Sequence, residues 1–234
     1  MASKDKYQTF ENVFDDFTYR NLHKLISQGH FEGLVGTLAM GKEANVFIAR
    51  RRDGSLVAVK IYRLESCDFT RMYSYIKPDP RYCTLKSQRR KVIFAWAQRE
   101  YRNLLKAREV GVRVPMPITC LFNILVLEFI GDKEPANKLK NHYPKNKKKF
   151  FDQVVGNMAK LHKAGFVHAD LSEFNILNYK DDPVFIDFSQ CTPLENPNSE
   201  EYLERDVRNV AKFFRKIGVK TDEESLRANV VGKP

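Results

Sequence analysis

No apolar run in the sequence approaches the roughly 18 to 20 residues of a membrane-crossing helix, so an integral membrane protein is not expected. The opening residues, MASKDKYQTFENVF, lack the apolar stretch of a secretory signal. Cysteine is scarce: four among 234 residues, Cys67, Cys83, Cys120 and Cys191, with no C-x-x-C pair. That argues against a disulfide framework and a zinc site, and makes reduced thiols in the cytoplasm the expectation. Glycine-rich nucleotide loops are missing: neither a Walker A pattern nor a G-x-G-x-x-G lid occurs. Acidic residues are also in short supply. Asp and Glu number 29 against 40 Lys and Arg, a formal net charge of +11. This excess suits a polyanionic partner, nucleic acid first, and it suits plain solubility equally well. It is densest at residues 50–52, 86–91 and 145–149, and no aromatic stacking motif follows any of the three. No base-reading RNA module is therefore visible.

What is there is an ordinary globular composition, 43% apolar, 29% charged and 12% aromatic. The length suits one domain or two small lobes sharing a cleft. Phe14, Phe17, Leu22, Leu25 and Ile26 predict an amphipathic helix over residues 10–28. The period then changes to that of strands at 31–40, 44–51 and 55–64, with Asp53-Gly54 as a hairpin turn. Residues 65–86 show no clean period and contain Pro78-Asp79-Pro80, which reads as a long mobile loop. A helix is expected over 87–110, ending at Gly111, and a buried strand over 124–130. The polar stretch 131–149 reads as a connector between lobes. Another helix should span 147–164 up to Gly165, short strands should flank 167–175 and return at 184–187, and a last helix should cover 199–216. Strands come first and helices later. The reading is an α+β, bilobal chain with a helical extension (1–30), a β-rich N-lobe (31–130) and a mostly helical C-lobe (131–234).

The most informative segment is VHADLSEFNIL at 167–177, where Asp170 and Asn175 stand five apart. That spacing, the one in H-R-D-x-x-x-x-N, lets one loop offer a carboxylate to an attacking hydroxyl and an amide oxygen to a metal. Twelve residues on, FIDFS places Asp187 at the end of a short apolar run, suited to holding Mg²⁺ between phosphate oxygens. Upstream, VAVK ends in Lys60, matching a strand lysine that meets nucleotide phosphates; alternation turns Val57 and Val59 one way and Ala58 and Lys60 the other. A strand-end lysine in solvent is the plain alternative. Trp96, Glu100 and Leu104, spaced at four, set Glu100 in an apolar stripe. A buried glutamate needs a cation, and Lys60 is the candidate. The segment Gly41, Lys42, Glu43, Ala44, Asn45 and Val46 bridges two strands and could aim backbone N–H groups at phosphates, although a simple hairpin turn would read the same way.

GKEANVF, VAVKIYR, MYSYIKPDPRY, WAQREYRNLLKAREVGV, LVLEFIG, HADLSEFNIL and FIDFSQ together resemble the RIO family of atypical serine/threonine protein kinases, first subfamily, over residues 10–217. The resemblance implies a trimmed kinase fold without the long activation loop and peptide-binding helices of typical kinases; nothing like A-P-E follows Asp187. It also implies ATP with Mg²⁺ or Mn²⁺. In that frame Lys60 contacts phosphate with Glu100 as its partner, Asp170 is the catalytic base, and Asn175 and Asp187 hold the metal. Glu128 and Ile130 offer backbone groups to adenine, and residues 41–46 cover the phosphates. Asp187 is also a candidate aspartyl-phosphate.

Ala39-Met40 stand where the family has Ser-Thr, which withdraws hydroxyl contacts to phosphate and leaves the backbone donors. With about 30 residues before the first strand and no acidic extensions, a minimal, archaeal-like member is expected. The implied role is small ribosomal subunit maturation, with ribosomal RNA and proteins as partners. A small-molecule kinase of the aminoglycoside or choline type, and a silent RNA-binding scaffold, are the competing readings.

Overall fold

Residues 14–232 are described by the computed structural model. By contacts they fall into two units. One comprises residues 14–73, Lys86–Tyr101 and Met116–Phe129; the other comprises Ser74–Leu85, Arg102–Pro115 and residues 130–232. The first unit begins with a capped helix. Asp15 accepts the Thr18 N–H at 3.0 Å and the Thr18 hydroxyl at 2.7 Å, starting α1 (Asp16–Ser27). Of the helix expected over 10–28, residues 10–13 lie outside the described part.

A five-stranded antiparallel sheet follows, in the order β1-β2-β3-β5-β4. Its strands are β1 (Gly33–Met40), β2 (Ala44–Arg50), β3 (Leu56–Tyr62), β4 (Pro117–Leu121) and β5 (Ile124–Glu128). Central β3 is buried on both faces. Val57, Val59 and Ile61 join Leu22, Leu25, Phe31, Phe47, Ile124 and Val126 in one apolar cluster, whereas Ala58 and Lys60 turn away from it. Each such side chain contributes about 1.5–3 kcal/mol when fully withdrawn from water. β4 was not foreseen from the sequence; at Cys120 and its neighbours it carries a mixed, half-buried pattern.

The stretch 65–86 is a correction to the expected mobile loop. It contains α2 (Phe69–Ile76) and a 3₁₀ turn (Pro80–Tyr82) whose first N–H is capped by Asp79. Phe69, Met72, Tyr73 and Ile76 carry helical spacing, and Met72 and Ile76 have no exposed surface. The period is too short to outweigh the Pro-Asp-Pro punctuation beside it. Helix α3 (Arg89–Glu109) follows.

In the second unit α4 (Lys147–Lys163), α5 (Ser199–Lys216) and α6 (Glu223–Val231) pack together. Their core includes Phe150, Val154, Val210, Phe214 and Leu226. Helix α6, capped by Asp222 through the Ser225 N–H at 2.7 Å, was not expected from the sequence. The stretch 131–149, read as a connector, instead lies within this unit and supplies β6 (Asn137–Lys138), paired to β8 (Ile176–Tyr179). β8 turns into β9 (Asp182–Phe185) through Lys180 and Asp181, both at positive φ, as a tight hairpin requires. β7 (Phe166–Val167) pairs with β10 (Thr192–Pro193). No helix among the described residues is long and apolar enough to cross a membrane.

Candidate active site

In the first unit the inward face of β3 delivers Lys60. Its Nζ lies 2.8 Å from Glu100 Oε1, with the Glu100 side chain 1% exposed. Tyr62, two residues along the same strand face, donates its hydroxyl to Glu100 Oε2. Both carboxylate oxygens are thus engaged, as a buried glutamate requires. The structure brings together the lysine and glutamate read from the sequence; Tyr62 was missed, although its period-two spacing from Lys60 signals it.

Gly41 and Lys42 lie exposed between β1 and β2. A Cβ at Gly41 would sit 2.7 Å from the Ala44 carbonyl oxygen, so only glycine allows this tight turn. The Glu43 carbonyl accepts the Arg63 N–H at 3.0 Å, and Asn45, 6% exposed, accepts Arg63 Nη2 at 3.2 Å. Val46 pairs with Lys60 across the strands. The Glu128 N–H donates to the Met116 carbonyl at 2.8 Å, and the Ile130 carbonyl accepts the Ala136 N–H at 2.8 Å. The Glu128 carboxylate accepts the Met116 N–H at 2.9 Å, closing a reciprocal pair.

In the second unit Asp170 lies on the loop after β7. Asn175 Nδ2 donates to the Asp170 carbonyl at 2.8 Å and to Asp170 Oδ2 at 3.1 Å. The amide nitrogen is spent on Asp170, so the amide oxygen is the Asn175 atom suited to a cation. Asp187 follows β9, not within it: the strand expected to run to 187 ends at Phe185, and Asp187 adopts φ +62°. Ser189 Oγ donates to Asp187 Oδ1 at 2.8 Å. Ala169, beside Asp170, is likewise left-handed, at φ +66°. Non-glycine residues in this region store strain, and such strain clusters at functional sites.

The support for this loop was invisible at the level of sequence motifs. Asp206, on α5 and 1% exposed, accepts the Ala169 N–H at 2.8 Å and the Leu171 N–H at 2.7 Å. Burial pushes its carboxyl up to about 8, against the downward pull of those two N–H groups and Arg205. A signal does exist: Leu203, Asp206, Val207 and Val210 set a carboxylate in an apolar stripe, the logic that singled out Glu100. Asn209 Nδ2 and an Arg205 guanidinium nitrogen donate to the Leu171 and Ala169 carbonyls, respectively. His168 is 2% exposed and meets the Ile186 carbonyl at 3.1 Å; burial pulls its imidazole down to about 4.

Among the described residues no group of three His, Cys, Asp or Glu could hold a metal unaided. Asn175 and Asp187 supply hard oxygen donors, one amide and one carboxylate. That set fits Mg²⁺, which takes one or two protein oxygens and completes its shell with phosphate and water. A cavity of about 610 Å³, lined by Arg113, Gln153, Lys160, Lys180 and Asp182, borders none of these residues.

Comparison with known proteins gives the family of the chain. The RIO domain family model matches residues 45–226. The RIO-type serine/threonine-protein kinase Rio1 of Haloferax volcanii is 41% identical over 99% of this chain and 80% of its own length. The Rio1 of Methanocaldococcus jannaschii is 40% identical over 97% and 78%. Among solved structures, the Rio2 kinase of Chaetomium thermophilum, as an ADP/Mg²⁺-phosphoaspartate complex, matches with a TM-score of 0.68 and 22% identity. That match covers 90% of this chain and 65% of the other, and it supports the α+β kinase-like fold. The buried lysine–glutamate pair, the Asp-x-x-x-x-Asn loop and the family match over most of the chain converge: the protein belongs to the RIO family of serine/threonine protein kinases.

Proposed function

We propose that this kinase uses ATP with Mg²⁺, or Mn²⁺ in its place, and that it acts as a kinase and ATPase in small ribosomal subunit maturation. The observation that carries the catalytic reading is the Asp170–Asn175 hydrogen bond at 3.1 Å on a loop pinned from below by Asp206. A carboxylate so held accepts the proton of an acceptor hydroxyl as its oxygen bonds to phosphorus. In the same reading Lys60, fixed by Glu100, binds phosphate oxygens, and Asn175 and Asp187 hold the metal. A bound Mg²⁺ would neutralise charge on the phosphates. The exposed backbone of Gly41 and Lys42, leading into residues 43–46, covers the phosphates. In this reading Glu128 and Ile130 offer backbone groups to adenine.

The phosphoaspartate named in the Chaetomium Rio2 complex supports a second use of Asp187. Its carboxylate oxygen attacks the γ-phosphorus, the bond to the β–γ bridging oxygen breaks, and ADP leaves. Water later cleaves the acyl phosphate. The net charge of +11 supports a ribosomal RNA partner. Measuring ATP turnover with and without purified small-subunit precursors tests the whole reading. Stimulation by the particle, with ³²P trapped on Asp187 in acid, is the expected result. Turnover indifferent to the particle would remove the ribosomal role, and no acid-stable or hydroxylamine-sensitive label would remove the phosphoaspartate.

A further inference from the structure

The 3₁₀ turn at Pro80–Tyr82 has no part in the roles above, yet it carries a dense polar network in the second unit. Asp79 has no exposed surface. Arg81 grips it with both edges of its fork, Nε to Oδ1 at 2.9 Å and Nη2 to Oδ2 at 2.6 Å. The remaining nitrogen, Nη1, donates to Asn103 Oδ1 at 2.9 Å. Asn103, 1% exposed, then donates through Nδ2 to two carbonyls, Phe188 at 2.9 Å and Cys191 at 2.7 Å. Those carbonyls bound the turn that follows Asp187, closed by the Cys191 N–H to the Phe188 carbonyl at 3.2 Å. The Arg81 guanidinium also lies 5.7 Å from the Phe166 ring centroid, and Phe166 sits on β7, whose partner β10 begins right after Cys191.

We propose that Arg81 is a positioning residue: through Asn103 it fixes the 188–191 turn and so sets the direction of Asp187 and Ser189. The inference rests on the reading of Asp187 as a metal ligand and adds to it the element that aims the ligand. Asn103 engages its amide oxygen with Arg81 and its two donor hydrogens with the two carbonyls. Arg81 is thus the donor to the amide oxygen. Without it that buried oxygen loses its partner, and the two Nδ2 bonds alone hold the side chain and the turn it binds. The guanidinium fork reaches Asp79 and Asn103 at once; a lysine ammonium in its place is a single point and holds the carboxylate only. Partners one step removed from a metal commonly alter its affinity by about 10- to 100-fold.

The test is Arg81→Lys in the full chain, read by amide exchange at residues 188–191 and by the Mg²⁺ concentration for half-maximal ATP turnover. Exchange should quicken at 188–191 and stay unchanged along α4. The Mg²⁺ requirement should rise about 10-fold, with turnover at saturating Mg²⁺ largely restored. The substituted lysine retains the charge facing Asp79, so the thermal midpoint should change little. The double variant Asp79→Asn with Arg81→Met leaves no unpaired buried charge, keeps the cap through the oxygen of the introduced amide, and should show the same shifts. Asp187→Asn, read for parent and variants alike by the Mg²⁺ dependence of equilibrium ATP binding because Asp187 is also the proposed phosphoryl acceptor, separates the two readings. If it leaves the Mg²⁺ requirement unchanged, the metal assignment fails. If it shifts that requirement while both Arg81 variants exchange and titrate like the parent, the positioning inference is overturned.

Discussion

The two regions proposed to carry the chemistry hold their charges by opposite means. In the first unit a side chain restrains a side chain: Lys60 and Tyr62 occupy the two oxygens of Glu100, and strand alternation does the rest. In the second unit side chains restrain backbone. Asp206 binds the N–H groups of Ala169 and Leu171, and Asn103 binds the carbonyls of Phe188 and Cys191. A side-chain pair fixes one atom and leaves its strand regular. A backbone grip permits left-handed residues at 169 and 187, which no strand or helix would tolerate. The first design is suited to a cation that waits for phosphate. The second is suited to carboxylates that need a defined direction.

The largest effect expected is on the second region. Asp170→Ala should lower phosphoryl transfer by about 10²- to 10⁴-fold, with ATP affinity nearly unchanged. Single-turnover transfer alongside equilibrium nucleotide binding measures both; a variant keeping more than half its activity would remove Asp170 as the base. In the first region the same kind of deletion should register as stability. Lys60→Ala leaves Glu100 buried without its cation and should cost about 3–5 kcal/mol, read as a lower urea midpoint, with Glu100→Gln far milder. Equal urea midpoints for parent and Lys60→Ala would show that the Tyr62 hydroxyl alone satisfies Glu100.

Two buried groups of the second region should oppose each other in pH. His168 is held near 4 from an ordinary 6.5, so the unfolded chain binds its proton first and stability falls as pH drops through that interval. Asp206 is held near 8 from 3.8, so the folded chain binds its proton first and stability rises as pH drops. Between pH 6.5 and 4 the two slopes, each about 1.4 kcal/mol per pH unit, cancel. His168→Asn should expose the Asp206 slope and gain stability on acidification relative to the parent. Urea midpoints for the variant that track the parent at every pH would remove the opposition.

The smallest effect belongs to the surface. Lys148 pairs with Asp152, and Lys147 donates to the Ile217 carbonyl at 3.0 Å, so part of that basic cluster is already engaged. Replacing Lys147, Lys148 and Lys149 with Gln should flatten the dependence of log K on log salt for precursor-particle binding by about one to two units. An unchanged slope would leave this charge as a solubility feature.

The first region is legible in the sequence because its signals are local in pattern: alternation on β3 and a glutamate in an apolar stripe on α3. In the second region the Asp170–Asn175 spacing can be read within one loop. What its supports bind cannot, although the apolar stripe around Asp206 marks that carboxylate as buried. Asp206 lies 37 residues from Ala169, and Asn103 lies 85 from Phe188, and no periodicity links such distances. The stretch 65–86 reads as a loop for a related reason. Arg81 is ordered by Asp79 and Asn103, and only the folded chain places that asparagine beside it.

Ala169 has a consequence for how this molecule responds to selection for heat resistance. Its left-handed backbone disfavours any side chain by roughly 1–2 kcal/mol, which glycine would recover. Glycine also gives the unfolded chain more freedom, at about 0.5–1 kcal/mol. The first effect exceeds the second by about 0.5–1 kcal/mol, so Ala169→Gly should look slightly stabilising in a thermal-shift screen. Amide exchange around residue 169 should still accelerate, because glycine widens the backbone choices next to Asp170. A library ranked by melting temperature would accept this change as favourable, and the loss would surface only in the rate of phosphoryl transfer.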